Sequence, residues 1–206
     1  MKQQIIYCLL FFMTFSISLF AQSDKQAEQI VADFIKSVEK NTVFAEFEIL
    51  MLDENDVQIP FEGERSIETI DGIFRMKGHK FALLLPETHL FFNGELFWHY
   101  SPDFGLTSVI ESSDEFNPST ILMLQERLNN NMIKFSESNN SVEYYFIELI
   151  PTANVNDPKI LVQINKTTKK LSSIRLGEAG EWLLINFKNF QKNIDIPDSY
   201  FVFDTE

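Results

Sequence analysis

The chain has 206 residues and a formal net charge of −13, with one cysteine, seven glycines and 21 phenylalanines. That charge argues against a nucleic-acid partner, which needs clustered Lys and Arg, and an anionic membrane surface would repel the protein. Acidity for solubility alone, common in exported proteins, is the simpler reading of the charge; a protein that handles lipid without sticking to bilayers is the alternative.

Lys2, the apolar run Ile5 to Phe20, and Ala21 before Gln22 have the layout of a secretory signal cleaved after Ala21. The run is short for a membrane span, which needs ~20 residues; a retained N-terminal anchor is the alternative. Cys8 lies inside the run, far from the cleavage position, and is a poor lipid-attachment cysteine. Residues 1–21 are therefore read as a signal peptide and residues 22–206 as one domain without cysteine, held by its core alone.

Ser23 or Asp24 caps a predicted helix running to about Lys40, with Ala27, Ile30, Val31, Phe34, Ile35 and Val38 forming one apolar stripe. From Thr42 the period changes to two. Val43, Ala45, Phe47, Ile49 and Met51 share one strand face and Glu46 and Glu48 the other. After the Asp53–Asp56 turn, Val57 to Ile70 reads as a returning strand that Pro60 and Gly63 interrupt, and Asp71-Gly72 as the next turn.

Gly72 to Tyr100 then reads as a succession of short strands, with Asn93-Gly94 as a tight hairpin turn. Phe81 to Leu85 and Leu90 to Phe92 are apolar at successive positions, so both faces of these strands require cover. Helices, a core, or a greasy ligand would each supply it.

Leu106 to Glu111 is one more strand. Asn117-Pro118 starts a short helix, apolar on most of its circumference, that ends at Asn129. The last third predicts an antiparallel meander of Met132–Ser136, Val142–Ile150, Lys159–Ile164, Lys170–Leu176 and Glu181–Phe187, with Phe201–Phe203 as a short closing strand. The fold class is α+β: an incomplete, strongly curved antiparallel β-barrel of about ten or eleven strands, with helices over its concave side.

His79, His89 and His99 recur at intervals of ten, which invites a metal reading. A two-residue Asn93-Gly94 turn places His89 opposite Trp98 and His99 opposite Thr88, so these imidazoles point to opposite faces, whereas metal ligands must converge. No metal and no cofactor is expected. There is no Gly-x-Ser-x-Gly elbow and no phosphate-cradling glycine loop. The carboxylates occupy turns and wet strand faces, so no catalytic residue is assigned and the chain is read as a non-enzyme.

The phenylalanine content, against two tryptophans and five tyrosines, fits a well-filled core. With apolar residues on both strand faces and a greasy short helix, it also fits a cavity lined for an acyl chain. Hiding roughly fifteen methylenes at ~0.8 kcal/mol each is worth on the order of 12 kcal/mol.

Phe74-Arg75-Met76-Lys77, the run Asn93-Gly94-Glu95-Leu96-Phe97-Trp98-His99-Tyr100-Ser101-Pro102, and Asn117-Pro118-Ser119 resemble the LolA-type outer-membrane lipoprotein carriers in their Bacteroidetes-like form. Ile160 to Lys166 and Asp198 to Phe203 also look like that family. The resemblance covers nearly all of residues 22–206, in order.

It implies a half-open β-barrel whose concave hydrophobic face lies under a helical lid. It implies a soluble periplasmic chaperone, acting as a monomer, that accepts acylated lipoproteins from an inner-membrane ATP-binding-cassette exporter and passes them to an outer-membrane acceptor. Where proteobacterial carriers have an Arg-Pro pair whose Arg holds the lid closed, this chain has Gly78-His79.

The expected lipid-binding residues are Phe47, Ile49, Met51, Phe74, Met76, Leu84, Leu90, Phe92 and Phe97, with Ile121, Leu122 and Leu124 covering them. The alternatives are a carrier of another lipid or lipid-linked intermediate, a lipoprotein-sensing regulatory domain, and a hydrolase using the abundant carboxylates.

Overall fold

A computed structural model describes residues 24–53, 55–59, 69–111, 131–137, 141–152, 158–178 and 181–204. The signal segment and the 117–129 helix, with Ile121, Leu122 and Leu124, lie outside them. Helix α1 (Lys25–Lys40) begins where Asp24 Oδ1 accepts from the backbone N–H groups of Gln26 and Ala27, at 2.9 and 3.3 Å. Its buried stripe is Ala27, Val31, Phe34 and Val38, as the periodicity predicts. Each fully buried Val or Phe contributes about 1.5–3 kcal/mol.

The strands follow as β1 (Val43–Asp53), β2 (Gln58–Ile59), β3 (Ile70–Lys77), β4 (Lys80–Leu84), β5 (His89–Phe92), β6 (Leu96–Ser101) and β7 (Leu106–Glu111). After them come β8 (Asn131–Phe135), β9 (Tyr144–Pro151), β10 (Lys159–Asn165), β11 (Leu171–Glu178) and β12 (Glu181–Lys192). They form one antiparallel sheet in the order β7-β6-β5-β4-β3-β1-β12-β11-β10-β9-β8, with β2 on β1. Among the described residues the path begins at β7 and ends at β8 without closing, so the sheet is open. Register shifts between Glu46 and Phe47, and between Gln163 and Ile164, set an extra residue in β12 and in β11 respectively. Such bulges bend a strand and increase its twist, which curves the sheet.

Alternation divides the sheet into the face that carries α1, here the inner face, and an outer one. Val43, Ala45 and Phe47 on β1 join Phe74 and Met76 on β3, Phe81 on β4, Phe92 on β5, Phe97 on β6, Ile147 and Leu149 on β9, and Val162 on β10 in one buried cluster with the α1 stripe. α1 reaches from β8, where Asp24 N–H donates to the Ile133 carbonyl, to β12, where the Phe34 and Phe190 rings lie 6.0 Å apart.

The second cover is on the outer face. Ala82, Leu84 and Phe91 point there, and Ile194, Ile196 and the fully buried Phe201 pack on them. The tail beyond β12 is therefore a strap across the outer side of β4 and β5. This corrects the expected closing strand: Asp198–Phe201 is a 3-10 turn. The apolar outer positions of β4 and β5 need a cap more than the sheet needs another edge strand.

Two turn expectations also change. Asp71-Gly72 lies inside β3, opposite Glu48 and Phe47. In the hairpin, Asn93 Oδ1 accepts from the N–H groups of Glu95 and Leu96, both at 2.8 Å, and Gly94 alone takes a positive φ of 100°. The turn centres on Gly94-Glu95, so His89 faces Tyr100 and His99 faces Leu90. The slip is an even number of residues, so every side chain keeps its predicted face.

Candidate functional site

On the inner face, α1 covers part of the sheet and a second part carries half-buried apolar side chains. Ile49 and Met51 extend along β1 beyond Phe47, and their partners across the ladder are Ile185 and Leu183 on β12. Leu176 on β11 faces Leu183, and Phe187 faces Phe47 with their rings 6.0 Å apart. On the other flank Leu83 pairs with Leu90, and Leu85 follows β4. Ile49, Leu83, Leu85, Leu90, Leu176, Ile185 and Phe187 pack against the buried cluster while keeping part of their surface open.

Of the expected lipid-binding residues, Phe47, Ile49, Met51, Phe74, Met76, Leu90, Phe92 and Phe97 all lie on this face. Phe74, Met76, Phe92 and Phe97 are buried, with Phe81 at 5.8 Å from Phe92 and 6.3 Å from Phe97 by ring centroids. They form the packed floor. Leu84 is a correction: it faces outward under the strap, because it pairs with Ile73 and His89, both on the outer face. Within the run Phe81–Leu85, composition could not separate Leu83 and Leu85 from Leu84; only the register does. Leu176, Leu183, Ile185 and Phe187 share this face and were not among the expected residues; Trp182 to Ile185 is apolar at successive positions, so only the register separates Leu183 and Ile185 from Trp182 and Leu184.

Gly72 sits where β3 passes beneath the Phe47 ring. A Cβ there would meet Phe47 Cζ at 2.3 Å and Leu85 Cδ2 at 2.9 Å. Glycine thus lets an aromatic ring lie flat on the strand, at the junction of floor and open surface.

The charged groups are mainly on the outer side. Lys188 Nζ lies 2.9 Å from both Glu48 Oε2 and Asp71 Oδ1. Hydrogen bonds to Glu48 and then Asp71 raise its pKa above the ordinary lysine value. This is a bridge across β12, β1 and β3, and it holds the two carboxylates on one ammonium. His89 lies near Tyr100, at 5.7 Å between ring centroids, and burial pushes its pKa below the usual imidazole value. Among the described residues, no three His, Cys, Asp or Glu side chains gather closely enough to hold a metal, and no helix is long and apolar enough to cross a membrane.

Among the described residues, the fold is an open antiparallel sheet with α1 packed on one face and half-buried apolar side chains beside it. The sequence is 26% identical over 199 residues to the outer-membrane lipoprotein carrier protein of Idiomarina loihiensis, spanning 93% of this chain and 90% of the relative. The resemblance to the LolA-type carriers therefore extends along the chain. No protein-family model matches it. Among solved structures, a DUF1329 family protein from Desulfovibrio piger aligns over 88% of this chain and 98% of its own, with 12% identity and a TM-score of 0.47. LprF from Mycobacterium bovis aligns over 85% and 98%, with 11% identity and a TM-score of 0.42.

Proposed function

We propose that this chain is a carrier that binds the acyl chains of lipoproteins on the inner face of its sheet. The observation that carries the reading is the set Ile49, Met51, Leu83, Leu90, Leu176, Leu183, Ile185 and Phe187. These side chains share one face of the sheet, on β4 and β5 to one side of β3 and on β1, β12 and β11 to the other, and are only half buried. Each methylene laid on this surface leaves water at a gain of ~0.8 kcal/mol. Binding and release suffice for carriage, and no covalent step is required.

In the full reading, residues 1–21 direct export and are removed, and the acidic body works in the periplasm. Cargo comes from an inner-membrane ATP-binding-cassette exporter and goes to an outer-membrane acceptor. Ile121, Leu122 and Leu124 cover the bound chains. Similarity to a named lipoprotein carrier along nearly the whole chain supports this reading.

A second cargo class, another lipid or lipid-linked intermediate, is favoured by one observation. Gly78-His79, at the place of the Arg-Pro pair of other carriers, is the exposed turn between β3 and β4, with Gly78 at φ +59°. A short imidazole at that tip does not replace a long guanidinium, so closure and cargo choice here rest on other contacts.

The test is native mass spectrometry of the protein purified from its own cells. Bound lipopeptide is expected, and should be lost in a folded Ile185→Glu variant. A folded Ile185→Glu protein that still carries the same acylated mass contradicts the assignment.

A further inference from the structure

The inner face has a second feature, at the end where β12 and β10 finish. A slot of about 330 Å³ opens there between α1 and the sheet. Ile30 and Phe34 on one side and Ile164 on the other form its apolar walls, and Ser37, Asp33, Lys169 and Lys192 supply its polar groups. That volume falls at the lower end of the range for small-molecule sites.

The lysines are unusual in two ways. This chain carries a net charge of −13, yet Lys166, Lys169, Lys170 and Lys192 gather at this one corner. Lys166 and Lys169 each place Nζ 5.1 Å from the centroid of the Tyr145 ring. Lys192 Nζ donates to Ser37 Oγ at 2.7 Å. Neither Lys169 nor Lys192 has a carboxylate partner among the described residues. Asp33, on the same rim, accepts instead from Gln29 Nε2 at 2.8 Å. Burial, and then the charge of Lys170, push the Lys192 pKa below the ordinary lysine value. A partly buried ammonium held next to another cation is relieved by an anion.

We propose that this slot binds the anionic end of a single-chain amphiphile. A carboxylate or phosphate meets Lys169 and Lys192, and the first methylenes lie against Ile30, Phe34 and Ile164. The apolar walls explain why a free inorganic anion is a poor fit, and the lysines explain why an uncharged lipid is. This site does not depend on the carrier reading above, since its residues are separate from the Ile49–Ile185 surface.

The test is calorimetric titration of the chain, residues 22–206, with dodecanoate, dodecyl phosphate, dodecanol and inorganic phosphate, each below its micelle concentration. Both anionic dodecyl ligands should bind about tenfold or more tightly than dodecanol, because charge-assisted bonds to two ammonium groups are at stake. The ratio of dodecanoate to dodecyl phosphate identifies the preferred head. The double variant Lys169→Gln/Lys192→Gln, with an unchanged melting temperature, should erase the anionic preference and leave dodecanol binding as it was; Lys169→Gln alone should reduce the preference. Ile185→Glu should keep the preference even where it lowers dodecanol binding, which separates this site from the acyl surface. An anionic preference that survives the double variant overturns the proposal, as does inorganic phosphate binding as tightly as dodecyl phosphate.

Discussion

The ring of Phe47 lies on the backbone of Gly72, its partner across the β1–β3 ladder, so closely that a Cβ on Gly72 would stand 2.3 Å from Phe47 Cζ. The contact is made beside the Glu46/Phe47 register shift, where Lys188 is the extra residue in β12. Local backbone and aromatic packing thus work together where the covered floor gives way to the half-open surface.

Gly72→Ala is therefore expected to destabilise the fold. Phe47 is buried and flanked by Phe187 at 6.0 Å, so its ring has little room to move aside. Overpacking of this kind costs about 1–3 kcal/mol, which in a chain of this size lowers the melting temperature by roughly 2–10 °C. Thermal unfolding followed by circular dichroism checks this, and a Phe47→Leu/Gly72→Ala double variant should recover part of the loss.

Charge placed on the two sheet faces should separate binding from folding. Ile49→Glu or Ile185→Glu alters half-buried positions on the inner surface and should abolish acyl binding with modest loss of stability. Leu84→Glu falls under the outer strap against Ala82 and Ile196 and should loosen the strap while acyl binding persists. Phe92→Glu is a poor probe, since Phe92 is packed in the floor at 4% exposure and a charge there unfolds the chain.

The strap itself should be sensitive to its anchor. Phe201 is fully buried, and Phe201→Ala should cost about 3–5 kcal/mol if the site does not collapse. The loss should appear as faster amide exchange through Ile194–Phe203 and the outer side of β4 and β5.

Acid should act on the same segment. Asp198 takes hydrogen bonds from Lys77 and then Lys80, at 2.8 and 2.6 Å, which hold its pKa at about 2 against an ordinary value of 3.8. With the folded value depressed, the stabilisation is present above the unfolded carboxylate pKa and is lost as pH falls through the interval from about 3.8 toward 2. Amide exchange of Asp198–Phe201 should therefore quicken over that interval. Asp198→Asn should show the fast exchange at neutral pH and no added response to acid.

The sequence made much of this readable. Asp24 and the stripe Ala27–Val38 specify α1, and the alternation Val43–Met51 places β1 correctly face by face. The doubly apolar Phe81–Leu85 and Leu90–Phe92 show that two covers are needed. Which cover goes where was not legible, because it depends on a tail distant in sequence folding back onto Ala82. The hairpin register was hidden for a local reason: Asn93 uses its side chain to accept two backbone N–H groups and does not take the left-handed position itself. The face taken by Leu90, Phe92 and Phe97 was legible because parity survives an even slip. Leu176 and Ile185 escaped notice because they sit in a meander whose apolar pattern looks the same for a packed core as for an open surface.

The central claim is that acyl chains lie on the inner face beside Ile185, and photocrosslinking measures it most directly. A benzophenone amino acid replaces either Ile185 or its neighbour Leu184, which points to the other side of β12, and the protein is irradiated with an acylated lipoprotein. A lipoprotein adduct is expected from position 185 and none from position 184. Equal crosslinking at both positions, or an adduct at 184 alone, would contradict it.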